Sequence, residues 1–418
     1  MATQVLHPWR DNLPGRRGPY RCGLSSPALT MRPATQIASR FHMLDALRGI
    51  AALAVVFWHW QHFFYVGTLA PAGFDPRVQP FFGVFKLFYL QGAVAVDLFF
   101  SLSGFIFFWL YARRIAEGTV NATDFLVLRL SRLYPLHVVT LIMVAAGQAV
   151  HHGVAGGSFV YPDNDLWHFL LHVALLPSVG LEAGFSFNAP VWSVSVEVLL
   201  YVMFFLVCRA RLHRPWVLLL LSCAGILVLT RLYAPIGRGV GSFFLGGLTF
   251  HLFTWIRERM HVRWWTGISV GLTAVLWLLT VGFVGADMSL SNLPGLWRLQ
   301  GLFAVIILFP LTILALALLD QGRTASVRLL SMLGNISYSS YLLHFPLQLA
   351  FALVVDLLGI DRAFFGTGMS FLLYFGLLIP LSLASYHWLE LPAQMALRRW
   401  WSGRRANMHV ANAPRIPH

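Results

Sequence analysis

From about residue 44 onward the chain is built of long apolar runs separated by short polar segments, many of them carrying arginine. The runs fall at about 44–66, 91–111, 133–150, 190–208, 216–233, 240–256, 265–284, 299–319, 335–356 and 369–390. Most approach the ~20 residues a helix needs to cross a hydrocarbon layer about 30 Å thick. The pattern predicts an all-α fold, a polytopic transmembrane bundle of about ten membrane-spanning helices. The third and sixth runs are the shortest. A further apolar stretch, 166–179, is too short to cross and reads as an interfacial or re-entrant segment.

Composition agrees with that pattern. Of 418 residues 58% are hydrophobic and 11% charged, and mean hydropathy is +0.69. A soluble domain carries about 25% charge, so this chain has too few charges to cover a water-facing surface. A disordered protein, a disulfide scaffold and a soluble nucleic-acid binder are excluded, the last despite a net charge of +14. The positive charge has a membrane explanation, because cytoplasmic loops retain Lys and Arg. With both termini placed in the cytoplasm, 23 basic residues fall inside and 6 outside, Arg48 being left within the first run. Residues 1–40 read as a disordered basic cytoplasmic tail, 41–395 as the membrane domain and 396–418 as a short basic cytoplasmic tail. No internal repeat of the kind many transporters carry is visible.

Ionisable residues inside a membrane are costly and therefore candidates for function. Here they are Arg48, His59, Asp97, Glu197 and His344, with His137 and Glu390 nearer the ends of their runs. Arg48 and His59 are eleven residues apart. On a helix that returns to within roughly 20° of the same face, with an axial separation of roughly 16 Å. A cationic fork near one surface with an imidazole deeper on the same face suits an elongated ligand with an anionic head and a reactive tail. A snorkelling helix-end arginine and a hydrogen-bonded core histidine would give the same sequence. Arg129 and Arg132, in LRLSRLYP, share a helix face and can clamp a phosphate, or serve as plain positive-inside anchors. Glu197 lies at about the depth of His59, where a carboxylate can orient an imidazole. Ser193 shares its face. Asp97 reads as structural support, and His344, before Pro346, as either cavity lining or a backbone tie. Glu390 is expected to pair with an arginine. The histidines do not recur at metal-ligand spacing, and no metal is expected.

Six fragments in order carry a resemblance: Arg48 and His59 in LDALRGIAALAVVFWHW, then VDLFFSLSGFIF (96–107), Arg129 with Arg132, WSVSVEVLLY (192–201), ISYSSYLLHFPL (336–347) and LELP (389–392). Together they resemble the acyltransferase 3 family of integral-membrane acyltransferases, over about 43–392. Val198 stands where the family often has a second glutamate, and Leu200 where it usually has an aromatic residue.

The resemblance implies acyl transfer, by family habit of acetyl, from acyl-CoA as co-substrate to a hydroxyl of a carbohydrate or glycosylated acceptor, in the bacterial inner membrane. It assigns Arg48, Arg129 and Arg132 to the CoA phosphates and His59 to base catalysis or transient acyl carriage. Glu197 would fix the imidazole, and Trp192, Ser193, Asp97 and His344 would shape or support the acceptor side. A transporter or flippase for a glycan or lipid precursor is the rival, since it also needs buried charge.

Overall fold

The computed structural model describes residues 40–286, 301–320 and 328–411. Almost all of the tail expected over 1–40, and the end of that expected over 396–418, lie outside these residues. The described chain is helical throughout: α1 (His42–Phe64), α2 (Phe82–Ala116), α3 (Ala122–Ala155), α4 (Leu166–Val173), α5 (Ala189–Arg209), α6 (Pro215–Arg231), α7 (Ala234–Arg259), α8 (Val262–Gly285), α9 (Gly301–Leu319), α10 (Arg328–Asn335), α11 (Ser337–Leu357), α12 (Gly368–Ser385) and α13 (Leu391–Ala411). α12 continues into α13 through a π-helical turn at Tyr386–Glu390.

Among the described residues nine helical stretches are long and apolar enough to cross a membrane, and α6 is a shorter apolar helix. Every expected run has its helix. The eight-residue α4 does not span, in line with the short interfacial segment expected there. The largest difference is α3. Its 34 residues extend to about 50 Å, far beyond the expected run over 133–150. Arg129 and Arg132 lower the hydropathy of its first turns, yet they face a cavity and remain helical. The helix is set locally at both ends. Asn121 accepts the Asp124 N–H at 2.8 Å, and Gly156 closes the C-terminus at φ 72°. Likewise, the basic segment after residue 396 is helical as far as Ala411. Its first half is tied to α3 by Trp401, which donates to Asp124 at 2.9 Å, and by an Arg405–Asp124 ion pair.

Small residues bring the central helices together. A Cβ on Gly104 of α2 would lie 1.9 Å from the Phe243 carbonyl oxygen of α7, and one on Gly246 would lie 1.9 Å from that of Ser101. Only glycine permits this approach, as expected of membrane helices that associate by packing. The Ser101 hydroxyl uses the contact to donate to the Ser242 carbonyl at 3.1 Å. Around it packs an aromatic core in which Phe107 meets Tyr201, Phe204 and Phe243. α1 runs through this assembly and touches α2, α10 and α11, so it contributes to the inner wall along its length.

Candidate active site

Among the described residues, a cavity of about 1830 Å³ between α1, α2, α8 and α9 is almost wholly apolar, and two others hold the candidate polar side chains. The first, about 970 Å³, is lined by Arg48, Arg129, Arg132, Ser103, Ser193, Glu197 and Tyr201, among others. The second, about 700 Å³, is lined by His59 and His62, by the rings of Trp58, Tyr161, Phe185 and Trp192, and by Arg238. Tyr341 lines both.

The arginine cavity gathers the three expected cations. Arg48 donates from Nε to the Ser337 hydroxyl at 3.1 Å and from Nη2 to the Gly334 carbonyl at 2.9 Å. Asp45, one turn earlier, pairs with it at 3.0 Å. The guanidinium is thus held in place, with a quarter of the side chain exposed. Arg129 is held by aromatic faces. Its guanidinium carbon sits 4.3 Å from the Phe107 ring centre and 4.5 Å from that of Tyr111, which offsets part of the cost of a buried cation. No ion pair to Arg129 or Arg132 occurs among the described residues. Two guanidinium groups beside a third, in one cavity, make a receptor for a multiply charged anion.

His59 ends the α-helical part of α1. Its Nδ1 is 2.8 Å from the Val55 carbonyl oxygen, four residues earlier. A carbonyl can only accept, so Nδ1 carries the proton. In the neutral ring Nε2 is then the free lone pair, on a residue that lines the second cavity. The His62 and His344 rings lie 5.0 Å and 4.9 Å from that of His59. His344 is fully buried, and its Nδ1 is turned to the Tyr341 carbonyl. It therefore packs against His59 and makes a backbone tie, and it lines neither of these two cavities. Burial pushes the Tyr161 phenol up from its usual range, so that wall of the cavity stays neutral.

Glu197 is not where the sequence reading put it. It accepts from Tyr201 at 2.9 Å and Ser103 at 3.4 Å and lines the arginine cavity. The Val55 carbonyl takes the tautomer-fixing place expected for it. Pro190 and Trp192 are among the α5 residues that meet the histidine cavity, and Glu197, one to two turns further along, reaches the cavity of Arg48 instead. Trp192 and Ser193 part company too: Trp192 lines the histidine cavity and Ser193 the arginine cavity. Asp97 is buried beneath the histidine cavity's wall and binds Arg238 at 2.7 Å, which supports the cavity indirectly. Glu390 bonds the serines Ser339 and Ser385, not the arginine expected.

Arg238, Tyr341 and Tyr201 also line these cavities, and none of them is among the residues the sequence singles out. Arg238 counts as one more loop arginine until Asp97 is seen to require a buried partner. Tyr341 stands three residues before His344, a spacing that shares a helix face, which was the available signal.

The sequence profile of an acyltransferase domain matches residues 41–387. The chain belongs to the acyltransferase 3 family. It is therefore a multi-pass membrane protein that carries an acyltransferase domain. Among curated proteins it is 39% identical over 107 residues to "Protein 2 in picA locus" of Rhizobium radiobacter, covering 26% of this chain and 45% of that protein. It is 32% identical over 170 residues to acyltransferase MdmB of Streptomyces mycarofaciens, covering 40% of this chain and 38% of that one. The chain thus spans less than half the length of these curated relatives. No solved structure matches it. The acyltransferase 3 match covers α1 through α12, and so both cavities.

Proposed function

We propose that this acyltransferase moves an acyl group, acetyl by family habit, from acyl-CoA to a hydroxyl of a carbohydrate or glycosylated acceptor. The observation that carries this reading is the pair of adjoining cavities. One presents Arg48, Arg129 and Arg132, and the other an imidazole whose free lone pair is Nε2.

The guanidinium groups hold the CoA phosphates and set the depth to which the pantetheine arm reaches. Glu197, in the same cavity, limits the cationic repulsion when no donor is bound and keeps Tyr201 and Ser103 oriented. The thioester end passes toward Tyr341. His59 Nε2 takes the proton from the acceptor hydroxyl as its oxygen attacks the thioester carbonyl. The carbon–sulfur bond breaks, and the imidazolium returns the proton to the departing thiolate. Transient acylation of Nε2 would use the same lone pair. The rings of Trp58, Trp192, Tyr161 and Phe185 offer flat faces for a sugar, and Arg238 adds a donor at the rim. By the distribution of basic residues the arginine cavity opens to the cytoplasm, in a bacterial inner membrane.

Acceptor-dependent release of CoA thiol from washed membranes tests the reading. His59→Ala should remove it at wild-type expression. Arg48→Ala should raise the KM for acyl-CoA at least tenfold with kcat less affected. Full activity in His59→Ala membranes refutes the catalytic assignment, and an unchanged KM in Arg48→Ala puts the phosphates elsewhere.

A further inference from the structure

The cavities share one lining residue. Tyr341, on α11, faces the arginine cavity on one side and the histidine cavity on the other. It is nearly buried, at 6% exposure. Its hydroxyl is 2.7 Å from the Pro190 carbonyl oxygen and 2.8 Å from the Ser193 hydroxyl. Pro190 belongs to the wall of the histidine cavity and Ser193 to that of the arginine cavity. The phenol therefore bridges the first turns of α5 and closes the boundary with two hydrogen bonds. Its ring rests edge-on against Phe99 of α2 at 5.9 Å. Its backbone carbonyl faces Nδ1 of His344, whose ring in turn packs against that of His59. The side chain at the partition is thus linked through its own helix to the surroundings of the base.

We infer that Tyr341 is a gate between the donor and acceptor chambers, latched by its hydroxyl to Pro190 and Ser193, and that it keeps the thioester from His59 until an acceptor is in place. This rests on the reading of the arginine cavity as the acyl-CoA site. The latch guards against a defined side reaction. Water reaching the thioester carbonyl beside His59 would form a carbon–oxygen bond and break the carbon–sulfur bond. It would yield free carboxylic acid and CoA thiol with no acceptor consumed. Two neutral hydrogen bonds are weak enough to be opened by ligand binding. They are also strong enough to bias the closed state by roughly tenfold or more. Tyr341 is a positioning residue here; it need not touch the reacting atoms.

Two measurements test the gate. Tyr341→Phe removes the latch and keeps the ring. Thiol release from acetyl-CoA in the absence of acceptor should rise about fivefold or more, while acceptor-dependent transfer stays within about threefold of wild type. Ser193→Ala, which removes one of the two bonds, should give a smaller rise. The second readout needs no catalysis. In a background with Cys22, Cys208 and Cys223 replaced, Val96→Cys places a thiol in the wall of the histidine cavity. A small anionic thiosulfonate is then added from the face on which the arginine cavity opens. Val96→Cys should be modified slowly with Tyr341 present and about fivefold faster with Tyr341→Phe or Tyr341→Ala. Equal modification rates in all three proteins overturn the gate, whatever the enzyme's substrate. Faster modification without any thiol release from acetyl-CoA would uphold the gate and discard the donor assignment.

Discussion

Replacing Asp97 by Asn removes the charge that Arg238 was built to meet. The carboxylate receives Arg238 Nε at 3.2 and 3.1 Å and Nη2 at 2.7 Å, with Ser242 at 3.4 Å. The Asp97 side chain is 5% exposed and that of Arg238 24%. Removing one partner of a buried pair costs about 3–5 kcal/mol, chiefly because the survivor remains desolvated. Arg238 keeps its bond to the Ala93 carbonyl at 2.7 Å and its stacking over Trp192 at 4.9 Å. Its partial exposure also lets it reach toward water, so the expected loss is at the lower end, about 3 kcal/mol. Asp97→Leu combined with Arg238→Met removes both charges and should fall within about 1 kcal/mol of wild type. The coupling energy between the two sites is then about 2 kcal/mol or more. Reversible unfolding of the purified protein in mixed detergent micelles measures each variant. A cost below about 1 kcal/mol for Asp97→Asn, or a double variant no better than the single one, refutes the reasoning. So does a stable Asp97→Asn protein whose turnover has fallen a hundredfold, since Asp97 would then be doing chemistry.

Gly104→Ala places a methyl group against the Phe243 carbonyl and should destabilise the protein by about 2 kcal/mol or more, seen as a lower midpoint in the same unfolding assay; a neutral result would mean that α2 and α7 can separate without cost. Arg129→Lys loses the planar group stacked on Phe107 and Tyr111 and should raise the KM for acyl-CoA about tenfold with kcat nearly constant; steady-state kinetics with an unchanged KM would remove Arg129 from the donor site. Burial, with nearby His137 as the second cause, pushes the His172 imidazole down to about 3. The unfolded ring takes its proton near 6.5, so the stability His172 contributes is complete above that pH and is lost as pH falls from 6.5 toward 3. At pH 5 the loss is about 2 kcal/mol. Hydrogen exchange in Leu166–Val173, corrected for its intrinsic pH dependence, should be faster at pH 5 than at 7.5, and identical protection at the two would contradict this.

The helical layout was legible because each membrane crossing imposes a length of apolar sequence, and ten such lengths are hard to mistake. Length alone could not place the start of α3, where Arg129 and Arg132 point into a cavity while the backbone continues as helix. That Arg48 and His59 sit on one inward-turned helix was legible for the same geometric reason, although the two line different cavities. What lies across from that face was not. Glu197 lies one to two turns further along α5 than Pro190 and Trp192, which line the cavity of His59, and span boundaries read from hydropathy are too coarse to show that offset. The partner of His59 Nδ1 is a backbone carbonyl, and a carbonyl leaves no mark on composition. Arg238 and Tyr341 acquire meaning only through Asp97 on α2 and Ser193 on α5, contacts between segments more than a hundred residues apart.

The tether between His59 and Val55 has both ends on a single turn of one helix. A triad that borrows its orienting group from a distant loop must be reassembled each time that loop is altered. Here the His59 imidazole travels with its own goniometer, indifferent to substitutions in the surrounding walls. If His59 is the base we propose, such a self-contained head leaves the aromatic chamber free to be recut for new acceptors while the imidazole keeps its aim.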